Sequence, residues 1–309
     1  MSVSRDFLDP TVLSQLMGWP LHARQPMLGS VSGRHSSPIR GSSLEFAEYR
    51  KYVPGDDLRR LDWRAWGRSD RFYIKEFEAD TNLRLCLIID TSGSMNYTPA
   101  DSTISKLDYA ISKLDYARQL AGYLAYLAIQ QGDAVGLSCA GKEFHKEIPA
   151  RRNPAHLGIL LDNLVEMKAE GETGLPEALH QAAEQIPQRA LIVVISDLFI
   201  QPEILNDCFQ HLKFRRHDVA VFHLLDQTEL EFNFDRPTRF VDMEDDTSVL
   251  ADPTIISEQY HKALANYLSG LDTIVQSTGA DYHRIQLPCT PGEVLADFLI
   301  RRTPKKAGR

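Results

Sequence analysis

The sequence predicts an α/β protein built on a doubly wound, mostly parallel sheet with one antiparallel edge hairpin, plus an N-terminal β-containing extension. Three observations predict it. From Leu83 onward, short apolar runs alternate with longer amphipathic stretches, the pattern of strands joined by crossover helices. The first run, Leu83–Ile89, is apolar except for Arg84 and ends in branched residues, which marks a central strand covered on both faces. Between two later runs stands only Gly141-Lys142-Glu143, too short for a crossover and sufficient for a hairpin.

Taken in order, residues 1–82 are polar, rich in Gly, Arg and Asp, and hold Trp19, Trp63 and Trp66. Within them Phe72–Glu78 reads as a strand and Pro54-Gly55-Asp56-Asp57 as a turn in which glycine supplies positive φ. Strands are then expected at Leu83–Ile89, Ala134–Ala140, Phe144–Ile148, Ala190–Ser196, Val219–Leu225 and Tyr282–Leu287. Helical periodicity covers Ile104–Gln131, Pro154–Met167, Pro176–Ile186, Glu203–Phe214 and Ile255–Ser277. The chain divides into 1–82, a sheet domain over 83–290, and a C-terminal helix with a basic tail over 291–309, whose end from Arg301 is expected to fray.

One oddity is a perfect tandem repeat, Ile104-Ser-Lys-Leu-Asp-Tyr-Ala110 followed by the same heptad at Ile111–Ala117. A heptad is nearly two helical turns, so its duplication keeps the apolar face aligned to within ~20°. The expectation is one continuous helix, longer by about 10 Å, arising from a neutral in-frame duplication, the alternative being a functional extension that reaches over the cation site or toward a partner.

Composition narrows the functional classes. A net charge of −8 over 309 residues argues against nonspecific nucleic-acid binding, which relies on basic surface. Cys86, Cys139, Cys208 and Cys289 are widely spaced, with no CxxC or Cys/His cluster for zinc, and read as reduced thiols in a cytoplasmic protein. No stretch has the length and apolarity of a signal peptide core or a membrane span. Gly136-Leu-Ser-Cys-Ala-Gly141-Lys142-Glu143 nearly matches a phosphate-binding loop, but Glu143 replaces the hydroxyl that must reach magnesium and the run lies on a strand and hairpin. Ile89-Asp-Thr-Ser-Gly93 is similar to an aspartic-protease turn, yet it has no second copy to share a proton. The ten histidines are scattered, and His145, His211 and His223 read as ordinary surface or core residues.

Asp90-Thr91-Ser92-Gly93-Ser94, directly after the first strand, carries the chemistry. Asp90, Ser92 and Ser94 offer oxygen donors at a strand's carboxyl end, where open α/β sheets bind ligands. Oxygen-only donors favour magnesium, manganese or calcium over zinc or copper. Asp197 closes the run Ala190–Ser196 in the same kind of position, and Thr173 sits in the glycine-flanked loop Gly171-Glu172-Thr173-Gly174. This combination of Asp-x-Ser-x-Ser, a loop Thr and a second strand-end Asp resembles the metal-ion-dependent adhesion site of von Willebrand factor A domains, over roughly 83–287. The resemblance implies Ser92, Ser94 and Thr173 as direct or near-direct ligands of Mg2+ (or Mn2+ or Ca2+), with Asp90 and Asp197 acting directly or through water.

The preceding segment adds a second resemblance. Gly41-Ser-Ser-Leu-Glu-Phe46, Tyr49-Arg-Lys-Tyr-Val-Pro-Gly-Asp-Asp57, Arg60-Leu-Asp-Trp-Arg64, Tyr73-Ile-Lys-Glu-Phe77 and, near the end, Gly279-Ala-Asp-Tyr282 resemble the bacterial domain-of-unknown-function family 58, which joins this block to an A-type domain. Many of its members carry transmembrane helices ahead of the block; none is expected from residues 1–82 of this sequence. The resemblance implies an adaptor or cofactor of a MoxR-type AAA+ ATPase chaperone system, with the cation capturing an acidic residue of the ATPase or its client. A metal-dependent hydrolase and a scaffold with a vestigial metal site are the alternatives. By packing alone, Trp63, Trp66, Tyr73 and Phe77 would form core, and Arg59, Arg60, Arg64, Arg68 and Arg71 would pair with Asp56, Asp57, Asp62 and Asp70; a partner-docking surface is the alternative for this segment.

Overall fold

The computed structural model describes residues 7–24, 36–37, 44–51, 73–80, 83–98, 111–142, 145–234, 236–244 and 247–303. The expected turn at 54–57, Trp63, Trp66 and the arginine cluster at 59–71 lie outside them.

The chain opens with helix α1 (Pro10–Leu16), capped by Asp9, whose carboxylate accepts the Thr11 N–H. A three-stranded antiparallel sheet follows, from β1 (Ser36–Ser37), β2 (Leu44–Lys51) and β3 (Tyr73–Asp80), with β3 in the middle. The main sheet begins at β4 (Arg84–Asp90), followed by a short 3-10 turn at Gly93–Asn96, helix α2 (Lys113–Gln130), β5 (Ala134–Ala140), β6 (His145–Arg151), α3 (Pro154–Glu166), α4 (Leu175–Gln185), β7 (Leu191–Ser196), α5 (Pro202–Phe214) and β8 (Asp218–Asp226). The last part holds α6 (Gln227–Glu231), β9 (Thr238–Val241), β10 (Ser248–Ala251), α7 (Pro253–Thr278), β11 (Asp281–Leu287) and α8 (Pro291–Arg302).

Strand order in the main sheet is β11-β8-β7-β4-β5-β6, parallel throughout except the antiparallel edge pair β5–β6. The alternation of side chains along each strand sorts the core into two layers. Leu85, Leu87 and Ile89 of β4, with Leu191, Val193 and Ile195 of β7, pack on the side of α2, α3 and α8. Ile88, Ile192 and Val194 face the side of α4, α5 and α7. Full burial of each such side chain stabilises the fold by roughly 1.5–3 kcal/mol. Leu16 and Leu21, ahead of the sheet, are buried in the first layer. Among the described residues no helix is long and apolar enough to cross a membrane, and the cysteines are unbridged.

β4 sits between β7 and β5, so the chain leaves it in one direction and later returns on its other side. That reversal makes the carboxyl end of β4 the topological switch point, the place where open α/β sheets bind ligands.

Two expectations are corrected. Helix α2 does not run unbroken from Ile104, because Ile111 and Ser112 are non-helical and the helix starts at Lys113. The cause is local: Ser112 Oγ accepts the Asp115 N–H and donates to the Asp115 carboxylate, an N-cap inside the second heptad. The first copy, 104–110, lies outside the described residues. The tail does not fray from Arg301, because α8 continues through Arg302, which is 4% exposed and bound to Asp218 and Asp281.

Candidate metal centre at the carboxyl end of the sheet

The five residues singled out by sequence stand on three neighbouring loops. Asp90 ends β4 and is 1% exposed. Its carboxylate accepts the Ser92 N–H at 3.1 Å, the Thr173 hydroxyl at 3.1 and 3.2 Å, and the Ser196 hydroxyl at 2.7 Å. Ser92 and Ser94 place their hydroxyls 3.0 Å apart. The structure therefore brings Asp90, Ser92, Ser94 and Thr173 together.

Backbone bonds hold the threonine loop against its neighbours. The Gly93 N–H donates to the Gly171 carbonyl at 2.8 Å and the Glu170 N–H to the Thr91 carbonyl at 3.0 Å. On the other side the Gly174 N–H reaches the Ala140 carbonyl at 3.1 Å, and Gly141 bridges Thr173. Gly174 is required there, since a Cβ would meet the Gly141 carbonyl at 2.8 Å. The loop ends as the Thr173 hydroxyl accepts the Leu175 N–H at the start of α4.

Asp197, after β7, is 1% exposed and faces a different set of partners. Its Oδ2 accepts from Lys113 Nζ at 3.0 Å, while Oδ1 is buried with no partner. Its carbonyl accepts His223 Nε2 at 2.9 Å, and Tyr282 meets the other ring nitrogen at 2.6 Å. Burial pushes His223 down to about 3, so the ring is a neutral strut that fixes the Asp197 backbone.

The charge is unevenly answered. Asp90 is raised from 3.8 to about 6, first by burial and then by the charge of Asp197. All its hydrogen-bond donors are neutral. Lys113, fully buried, also contacts Glu229 at 2.6 Å and lies 5.0 Å from the centre of the Phe199 ring. Burial opposes its charge, but Asp197 and Glu229 together hold it above the ordinary lysine value. Glu229 is pushed up by burial despite that ammonium. Among the described residues no three His, Cys, Asp or Glu side chains converge as a metal cluster, so any cation here depends on hydroxyl donors as well as the two aspartates.

Sequence reading missed four contributors. Ser196 was legible, as the polar residue ending an all-apolar strand; it is buried, donates to Asp90 and accepts the Leu198 N–H at 2.8 Å. Lys113 was hidden in the repeat. Met243 and Glu244, in the turn between β9 and β10, had no motif to mark them. They reach the site from outside the sheet: a Cβ on Gly93 would lie 1.9 Å from the Met243 carbonyl oxygen and 3.4 Å from Glu244 Cα. Burial, then Asp90 and Asp197, raise Glu244 to about 7.

The family model "Protein of unknown function DUF58" matches residues 48–267. Uncharacterized proteins of Mycobacterium bovis and Mycobacterium tuberculosis are 27% identical over 230 residues, covering 73% of this chain and 69% of theirs. Among solved structures, the conserved hypothetical protein BatB from Bacteroides thetaiotaomicron aligns with a TM-score of 0.46 at 14% identity, covering 72% of this chain and 98% of that one. The SpRpn10 VWA domain aligns at 0.43 and 12% identity, covering 70% and 95%.

Proposed function

Starting from a chain that belongs to the family described as protein of unknown function DUF58, we propose a non-catalytic protein-binding module whose Asp90, Ser92, Ser94, Thr173 and Asp197 hold a hard divalent cation. A bound Mg2+, Mn2+ or Ca2+ would supply an open coordination position for a partner's Asp or Glu carboxylate. The observation that carries this reading is the buried, unpartnered Asp197 Oδ1 beside an Asp90 whose charge meets only neutral donors. Leaving such oxygens unanswered is costly in a buried site. Glycine at 93 and 174 lets the loops close, and His223 holds Asp197 in place.

The partner we propose is a MoxR-type AAA+ ATPase or its client, with this chain as a cytoplasmic adaptor. Hydrolysis is disfavoured because His223, the histidine hydrogen-bonded to Asp197, is committed to the Asp197 carbonyl and to Tyr282. One observation favours a second reading, a scaffold with a vestigial site: the Lys113 ammonium already answers one oxygen of Asp197.

Titration calorimetry with Mg2+ and Mn2+ separates the two. Saturable binding that Asp90→Asn abolishes, while circular dichroism stays native, supports the module. Absence of binding establishes the scaffold. Co-purification with and without Mg2+, followed by mass spectrometry, then identifies the partner; capture unaffected by Asp90→Asn would sink the carboxylate-capture reading.

A further inference from the structure

Among the described residues, the β9–β10 hairpin between α6 and α7 pairs with no other strand. A lone two-stranded hairpin is marginally stable in water. β9 is anchored close to the turn: Phe240, which pairs with Val249, stacks on Phe232 at 5.6 Å, Phe232 stacks on Tyr260 at 4.2 Å, and Phe234 packs edge-on against Phe240 at 5.3 Å. The strands themselves are open to solvent, with Val241, Val249 and Leu250 at 51%, 64% and 75% exposure. The tip lands on the candidate metal centre. The Met243 carbonyl occupies the space a side chain at 93 would take, with Glu244 Cα 3.4 Å from that position, and the Glu244 N–H is fixed by the Asp242 carboxylate at 2.8 Å.

We propose that this hairpin is an autoinhibitory strap, with Glu244 serving as the chain's own acidic ligand at the cation site until a partner's carboxylate displaces it. The inference rests on the cation-capture reading above. Three features support it. Glu244 carries the chemical group that the open coordination position selects, a carboxylate. It is half-buried against the ligand loop although it lies in a turn of an exposed hairpin. The aromatic anchor at Phe240 stops short of the turn, so Met243 and Glu244 can lift from the ligand loop while the strands stay attached and the main sheet is undisturbed. As a tethered ligand, Glu244 competes at an effective concentration on the order of millimolar, so weak acidic ligands are excluded and only a well-matched partner enters.

The test uses the full chain, Glu244→Gln, and Mn2+ as the probe, read by calorimetry and by amide hydrogen exchange across residues 236–251. The wild type should show slower exchange in the hairpin on adding Mn2+, and Glu244→Gln should lose that protection and about tenfold in Mn2+ affinity. The acidic tripeptide acetyl-Gly-Glu-Gly-amide should bind the Mn2+ form of Glu244→Gln more tightly than that of the wild type. Equal Mn2+ affinity in the two proteins, with hairpin exchange and tripeptide binding unchanged, overturns the strap and leaves the cation site standing. A wild type that binds no Mn2+ overturns the cation reading and the strap with it.

Discussion

Lys113 decides more than any other single residue. Its ammonium is the cation the fold supplies to Asp197 and Glu229, and removing one partner of a buried pair leaves bare charges costing about 3–5 kcal/mol. Lys113→Met should therefore lower the urea midpoint strongly without Mg2+. If the site takes a cation, Mg2+ should restore part of that loss and raise the melting temperature of the variant more than that of the wild type. Asp90 sets the pH range. Because its folded value is raised from 3.8 to about 6, its contribution to stability is full below the unfolded value and is lost as pH rises through about 6. Cation binding needs the deprotonated form, so the melting-temperature gain from Mg2+ should be large at about pH 7.5 and small at about pH 5. A gain equal at both would exclude Asp90 as a ligand.

At the scale of elements, the strands were readable because short, largely apolar or alternating runs between helical stretches have few interpretations; the six expected strands of the main sheet fall within a few residues of those observed. Helix α2 was misjudged at its start because periodicity sees only the apolar stripe, which the duplication preserves. The cap is a separate signal, Ser112 three residues before Asp115, and it competes with propagation from the first heptad. Ser112→Ala should cost about 1 kcal/mol, visible in the denaturation midpoint. The β9–β10 hairpin was invisible for a different reason. Its strands are short, four residues each, and mostly exposed, so no burial pattern imprints itself on Thr238–Val241 or Ser248–Ala251. Asp90, Ser92, Ser94, Thr173 and Asp197 could be picked out because strand ends and glycine-flanked loops constrain which residues fit, whereas Lys113 and Glu244 arrive from elements whose position depends on tertiary packing.

Across the whole molecule, the two ends of the sheet treat buried carboxylates in opposite ways. At the amino ends of β8 and β11, Asp218 and Asp281 are bound by Arg302 at 2.9 and 3.0 Å, and Arg24 adds its own N–H to Asp218 and its guanidinium to Asp281. Burial would raise Asp281, but His283, Arg302 and Arg24 outweigh it and hold the carboxyl below the usual range. Its stabilising contribution is therefore present above the unfolded carboxylate value and is lost as pH falls through the lowered one. At the carboxyl ends, Asp90 and Asp197 meet hydroxyls, one backbone N–H and one shared ammonium. One end ties residues before the sheet to helix α8; the other leaves a buried carboxylate oxygen, Asp197 Oδ1, without a partner. Arg302→Met should thus destabilise the protein by about 3–5 kcal/mol in urea unfolding, while Mg2+ affinity measured on the folded fraction stays at the wild-type value. A parallel fall in affinity would mean that the two ends are coupled through the sheet, and the separation of structural from binding charge would have to be abandoned.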